Sequence, residues 1–162
     1  MKNVSKLVMV FGGAMALCGC AGNPLVGTWT ANQTEGGLNG TVALTLAGDG
    51  TASVNLNFTG GMSSGTTLTC TGAGITQSGF RWTSTATTLS VTGTPTCAGS
   101  ITCTAGGNMQ TLDCSRLSMG GMGASTLDAS TYALSNNNNT LTVTTTPSGM
   151  GMATTLTFTR RM

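Results

Sequence analysis

From Gly27 onward, apolar side chains return at every second position, and this two-residue period decides what the chain can fold into. Val42, Leu44 and Leu46 alternate with Ala and Thr, and Val54, Leu56 and Phe58 alternate with Asn. The same spacing recurs at Leu68/Cys70, Phe80/Trp82, Leu89/Val91, Ile101/Cys103, Leu112/Cys114, Tyr132/Leu134, Leu141/Val143 and Leu156/Phe158. Helical periodicity is missing after residue 20. Threonine fills most intervening positions, and a β-branched side chain carrying a hydroxyl suits the solvated face of a half-buried sheet. Gly48-Asp49-Gly50, Ala105-Gly106-Gly107-Asn108 and Asn136 to Asn139 are short enough to be hairpin turns. The expectation is an all-β, antiparallel chain. Its one-sided strands bury their apolar faces by closing into a barrel or by stacking as a sandwich.

A length of 162 residues suits one domain with a real core, and with only 6% charged residues apolar burial must hold it together. The absence of His removes His-based triads, His-type zinc sites and imidazole proton shuttles. Of the acids Glu35, Asp49, Asp113 and Asp128, none falls at an inward strand position where burial would raise its pKa. The chain reads as a non-enzyme without a cofactor. The bases are Lys2, Lys6, Arg81, Arg116, Arg160 and Arg161; beyond the first six residues, four positive side chains balance four negative ones. That leaves no basic patch for nucleic acid.

Lys2 and Lys6 precede an apolar run of 12 residues, Leu7 to Cys18, which fits the core of an export signal of about 7–15 residues better than a membrane span of about 20. Leu17-Cys18-Gly19-Cys20 resembles the signal box of bacterial lipoproteins, with Cys18 where Ala or Ser is usual. The resemblance implies cleavage after residue 19 and lipid attachment at Cys20. It also implies a short tether over residues 20–26, a domain over 27–162, and a membrane partner reached through N-terminal acyl chains. Ala21 in place of Asp implies, by the same resemblance, the outer membrane.

Export places Cys70, Cys97, Cys103 and Cys114 in an oxidising space, where an even number reads as two disulfides. The Cys-x-x-Cys spacing of a zinc ribbon is absent. If Gly106-Gly107 is a hairpin tip, residues whose numbers sum to 213 face each other, and Cys103 lies opposite Gln110. Cys114 is then roughly 13 Å further along the strand, beyond the reach of a bridge to Cys103. A slip to an Ala105-Gly106 tip would set Cys97 opposite Cys114, leaving Cys70 for Cys103. That pairing is the expected one.

Leu25-Val26-Gly27-Thr28-Trp29 resembles the Gly-x-Trp opening of the lipocalin-like (calycin) families. Tyr132-Ala133-Leu134-Ser135 with Asn139 to Val143 resembles their penultimate hairpin, and Leu156 to Arg160 their last strand. Cys70 to Cys114 has no counterpart in this resemblance. It implies one up-and-down β-barrel of about eight to ten strands, closed at one end by Arg160 over Trp29. Parity agrees with that closure: if Leu156 and Phe158 point inward, so does Arg160, while Arg161 points out. Such a barrel would bind a small apolar ligand, lined by Leu44, Leu46, Leu56, Phe58, Phe80, Trp82, Leu89, Tyr132, Leu141 and Phe158. The other reading is a structural or interaction protein whose barrel is filled by its own side chains. About eleven runs are present where closure needs an even number. Ile101–Cys103 and Leu112–Cys114 are therefore candidates for a cystine-bound excursion outside the wall.

Met119-x-x-Met122 and Met150-x-Met152 have spacings that suit Cu(I) thioether sites. Methionines that line a flexible mouth or fill gaps under loops are the preferred reading, and no metal is expected.

Overall fold

The computed structural model describes residues 22–35, 38–63, 66–114, 130–145 and 154–161. The strands among these residues are β1 (Gly27–Glu35), β2 (Leu38–Leu46), β3 (Thr51–Ser63), β4 (Thr66–Ser84), β5 (Thr88–Thr92), β6 (Thr96–Ala105), β7 (Asn108–Asp113), β8 (Ser130–Ser135), β9 (Thr140–Thr145) and β10 (Thr154–Arg160). All belong to one sheet in the order β3-β2-β1-β10-β9-β8-β5-β4-β6-β7, and β3 also pairs with β4. That extra pairing closes the sheet into a ring of eight strands. The β6–β7 hairpin stays outside the ring. Every pairing is antiparallel.

The odd count of runs resolves within β4. Leu68/Cys70 and Phe80/Trp82 belong to this single strand of 19 residues, not to two. One edge of β4 carries β3, while its other edge carries β6 along residues 68–78 and β5 along residues 81–84. The excursion expected at Ile101–Cys103 and Leu112–Cys114 is the β6–β7 hairpin.

Two irregularities divide β4. Its register against β6 shifts between Gly72 and Gly74, and its register against β3 shifts where Ala52 faces Phe80 but Val54 faces Gln77. Extra residues on one strand of a pair reverse which side chains point inward. Cys70 is buried, then Ile75 and Gln77, then Phe80, Trp82 and Ser84. The steps of five and three residues are both odd, so the inward set changes parity twice. Gly74 and Gly79 make these bulges feasible, with φ of +86° and +90°.

The hairpin keeps its Gly106-Gly107 tip, with Cys103 opposite Gln110 and Ser100 opposite Asp113. No slip to Ala105-Gly106 occurs. Cys97 reaches Cys114 diagonally, beyond the last ladder pair, at a Cα–Cα distance of 5.7 Å. Cys70 and Cys103 are direct partners across β4 and β6 and form the other disulfide.

Turn chemistry fixes the connections at the Trp29 end. Asn136, Asn137 and Asn138 all have positive φ, a conformation that Asn tolerates better than other residues with a side chain. Asp49 accepts hydrogen bonds from the Thr51 hydroxyl (2.6 Å) and backbone N–H (2.9 Å), which hold its carboxyl below the usual carboxylate range.

Buried apolar side chains form two clusters. The larger gathers Leu25, Trp29, Leu44, Leu46, Phe80, Trp82, Leu89, Leu141 and Phe158 with smaller neighbours. The second surrounds the Cys70–Cys103 bridge with Ile75 and Ile101, and Phe58, Cys97 and Cys114 pack against it.

Candidate functional site

The Trp29 end is built where first and last strands meet. Trp29 is the Cα partner of Arg160, and the guanidinium carbon sits 4.3 Å from the indole centroid. Arg160 donates from Nη1 to the Val26 carbonyl (2.9 Å), from Nε to the Asn138 carbonyl (3.0 Å) and from Nη2 to the Pro24 carbonyl. One side chain thus ties β10 to the segment before β1 and to the β8–β9 turn. Arg161 is exposed, as its parity requires.

The segment 23–26 crosses this end. Leu25 is fully buried, and the Asn23 amide donates to Ser84 Oγ on β4 at 3.4 Å. Three aromatic side chains tie the end down by their polar atoms: Trp29 Nε1 donates to the Leu25 carbonyl (2.8 Å), Trp82 Nε1 to the Ala47 carbonyl (2.9 Å) and the Tyr132 hydroxyl to the Thr85 carbonyl (3.0 Å). Each therefore offers its apolar body to the core while its polar group serves a connection. Burial raises the Tyr132 phenol pKa.

Of the ten side chains expected to line a ligand, Leu44, Leu46, Phe80, Trp82, Leu89, Leu141 and Phe158 pack into the larger cluster. Leu46, Leu89 and Leu141 are 0% exposed, so no water-sized space touches them. In this half of the ring they form a filled core, because side chains from opposite walls meet and cover one another. Leu56 is buried on β3; Phe58 and Tyr132 stay partly exposed. Val42 and Leu156, further from the Trp29 end on the inward parity of β2 and β10, are also partly exposed.

The buried polar residues among those described are Gln77, Ser84 and Ser130. Sequence periodicity misses Gln77, since strict alternation from Cys70 to Trp82 would turn it outward. Gly72, Gly74 and Gly79 were the available signal, because isolated glycines within a strand pattern mark bulges. Ser130 is 0% exposed beside Leu89, and its Oγ has no hydrogen-bond partner. A buried unpaired hydroxyl costs about 1–3 kcal/mol. Ser130→Ala is expected to raise the unfolding free energy by about 1 kcal/mol in urea titrations. A loss of stability instead would mean that the hydroxyl is partnered in the native state.

No group of three His, Cys, Asp or Glu side chains that could hold a metal ion occurs among the described residues. Cys20, Met119, Met122, Met150 and Met152 lie outside them. No family model, curated protein or solved structure matches the chain.

Proposed function

We propose that the chain is an exported, non-catalytic lipoprotein held at the outer membrane by acyl chains on Cys20. In this reading its ring is a lipocalin-like up-and-down barrel that receives a small apolar molecule in the half remote from Trp29. The barrel reading is supported by an eight-stranded ring whose first and last strands meet at Trp29 and Arg160. The observation that carries binding is the gradient of inward exposure. Leu25, Trp29, Leu44, Leu46 and Phe158 are covered, with Tyr132 and Leu134 partly open near them, whereas further from Trp29 Val42, Phe58 and Leu156 remain partly open beside the buried Leu56 and Ile75. Partly open, inward apolar side chains are what the lining of a small ligand site requires.

The anchor fixes an orientation. Gly22 adjoins the segment across the Trp29 end, and Cys20 is two residues upstream, at most about 7 Å away by chain length. The filled end therefore faces the anchoring bilayer, and the remote half faces away from it. Cys20→Ser is expected to move the protein from the membrane to the soluble fraction, since acylation is its only anchor in this reading. A variant that stays with membrane would sink the assignment.

Native mass spectrometry of protein purified from its own cells tests binding: the expected mass includes acyl chains, two disulfides and a bound small molecule. The second reading, a structural envelope protein, is favoured by the filled core around Trp29. It predicts the same acylated mass with no guest.

A further inference from the structure

We propose that the Cys97–Cys114 bridge is a redox latch: a dithiol reductant opens it ahead of Cys70–Cys103, and its opening releases β7 while the ring stays closed. This inference goes beyond the binding reading and does not depend on it. Exposure and position separate the two bridges. Cys70 and Cys103 are 8% and 6% exposed and sit within the β4–β6 ladder, with Thr69 facing Thr104 on one side and Thr71 facing Thr102 on the other. Cys97 and Cys114 are both partly exposed, and they join beyond the last ladder pair of the hairpin, Ser100 with Asp113. Thiol–disulfide exchange needs a thiolate to reach a sulfur, so access governs its rate. The buried bridge is reached only after β6 and β4 separate locally.

Little else fastens β7. Among the described residues it pairs with β6 alone, and Asn108, Met109, Gln110 and Thr111 are all exposed, Met109 at 72%. Those four side chains therefore lack the apolar burial that holds the ring strands. The Gly106-Gly107 turn joins β7 to β6 at one end, and the bridge joins them at the other. Cutting the bridge leaves a ladder of six residue pairs closed only at its tip, an arrangement that is marginal without further packing. β6 stays in place, because it pairs with β4 from Thr96 to Ala105, buries Ile101 and keeps the Cys70–Cys103 bridge. Release of β7 turns β6 into an edge strand and bares backbone N–H and C=O groups that β7 otherwise pairs. The redox state of one bridge thus decides whether that edge is covered.

The exchange is a two-electron reduction. One thiolate of the reductant attacks a bridge sulfur, the other bridge sulfur leaves as a thiolate and takes a proton, and the reductant's second thiol then displaces the protein from the mixed disulfide. The protein gains two thiols and the dithiol becomes a disulfide. Native-state titration of the intact protein with dithiothreitol, quenched with iodoacetamide and read by peptide mapping, tests the latch. Cys97 and Cys114 are expected to be alkylated at least about tenfold faster than Cys70 and Cys103. With the first pair alone reduced, amide exchange should speed in residues 108–113 and remain slow in β1, β9 and β10, with tryptophan fluorescence unchanged. Oxidised glutathione should then restore both the bridge and the protection. Equal alkylation rates for the two pairs, or earlier alkylation of Cys70 and Cys103, would overturn the proposal. So would unchanged exchange in β7 after Cys97–Cys114 is reduced, or loss of protection in β1 and β10 at the same step.

Discussion

Arg160→Met is expected to lower the unfolding free energy by about 3 kcal/mol. The guanidinium satisfies carbonyls of Pro24, Val26 and Asn138 and lies over the Trp29 face. Hydrogen bonds from a charged donor contribute roughly 1.5–3 kcal/mol each and a stacked cation about 0.5–2. Arg160 is only half-buried, so water screens these contacts and the sum is discounted below its lower end of roughly 5 kcal/mol, to about 3. Arg160→Lys should recover less than half of the loss, because an ammonium cannot reach three carbonyls in the plane of a guanidinium. Arg161→Met, at an exposed neighbour, should change stability by less than about 0.5 kcal/mol. The check is guanidinium chloride unfolding followed by tryptophan fluorescence; equal effects at positions 160 and 161 would refute the plug.

The inward aim of Arg160 was legible because parity is a local rule, Leu156, Phe158 and Arg160 sharing a face, whereas its meeting with Trp29 was legible only as what the resemblance implied. The β6–β7 register was legible for a similar reason, since a Gly-Gly tip sets the pairing of everything below it. Two features were not. Bulges at Gly72–Gly74 and after Gln77 interrupt the period within β4, so a count of alternating runs splits one strand into two. They also hide Gln77, whose inward position depends on both interruptions. Whether the ring is hollow or filled was not legible either. Alternation states which side chains point inward, but whether Leu44, Phe80 and Leu141 meet depends on ring radius and stagger, which no single strand encodes.

Removing the two disulfides separately should have unequal consequences. Cys70–Cys103 closes 33 residues and Cys97–Cys114 closes 17, so the chain-entropy account assigns about 4 and about 3 kcal/mol. Topology separates them further. Cys70–Cys103 ties β6 to β4, a ring strand, and lies buried with Ile75 and Ile101. Cys97–Cys114 ties the start of β6 to the end of β7, both outside the ring. The ring closes through β3–β4 and β5–β8 without using the hairpin. Cys97→Ala/Cys114→Ala should therefore speed amide exchange in β7 and leave β1, β9 and β10 as protected as before, because the hairpin opens as its own cooperative unit. Cys70→Ala/Cys103→Ala should speed exchange in β6, in β7 and in residues 66–72 of β4, and lower the global transition as well. Loss of protection in β1 and β10 on removing Cys97–Cys114 would show that the ring depends on its excursion, and the division into ring and hairpin would fall.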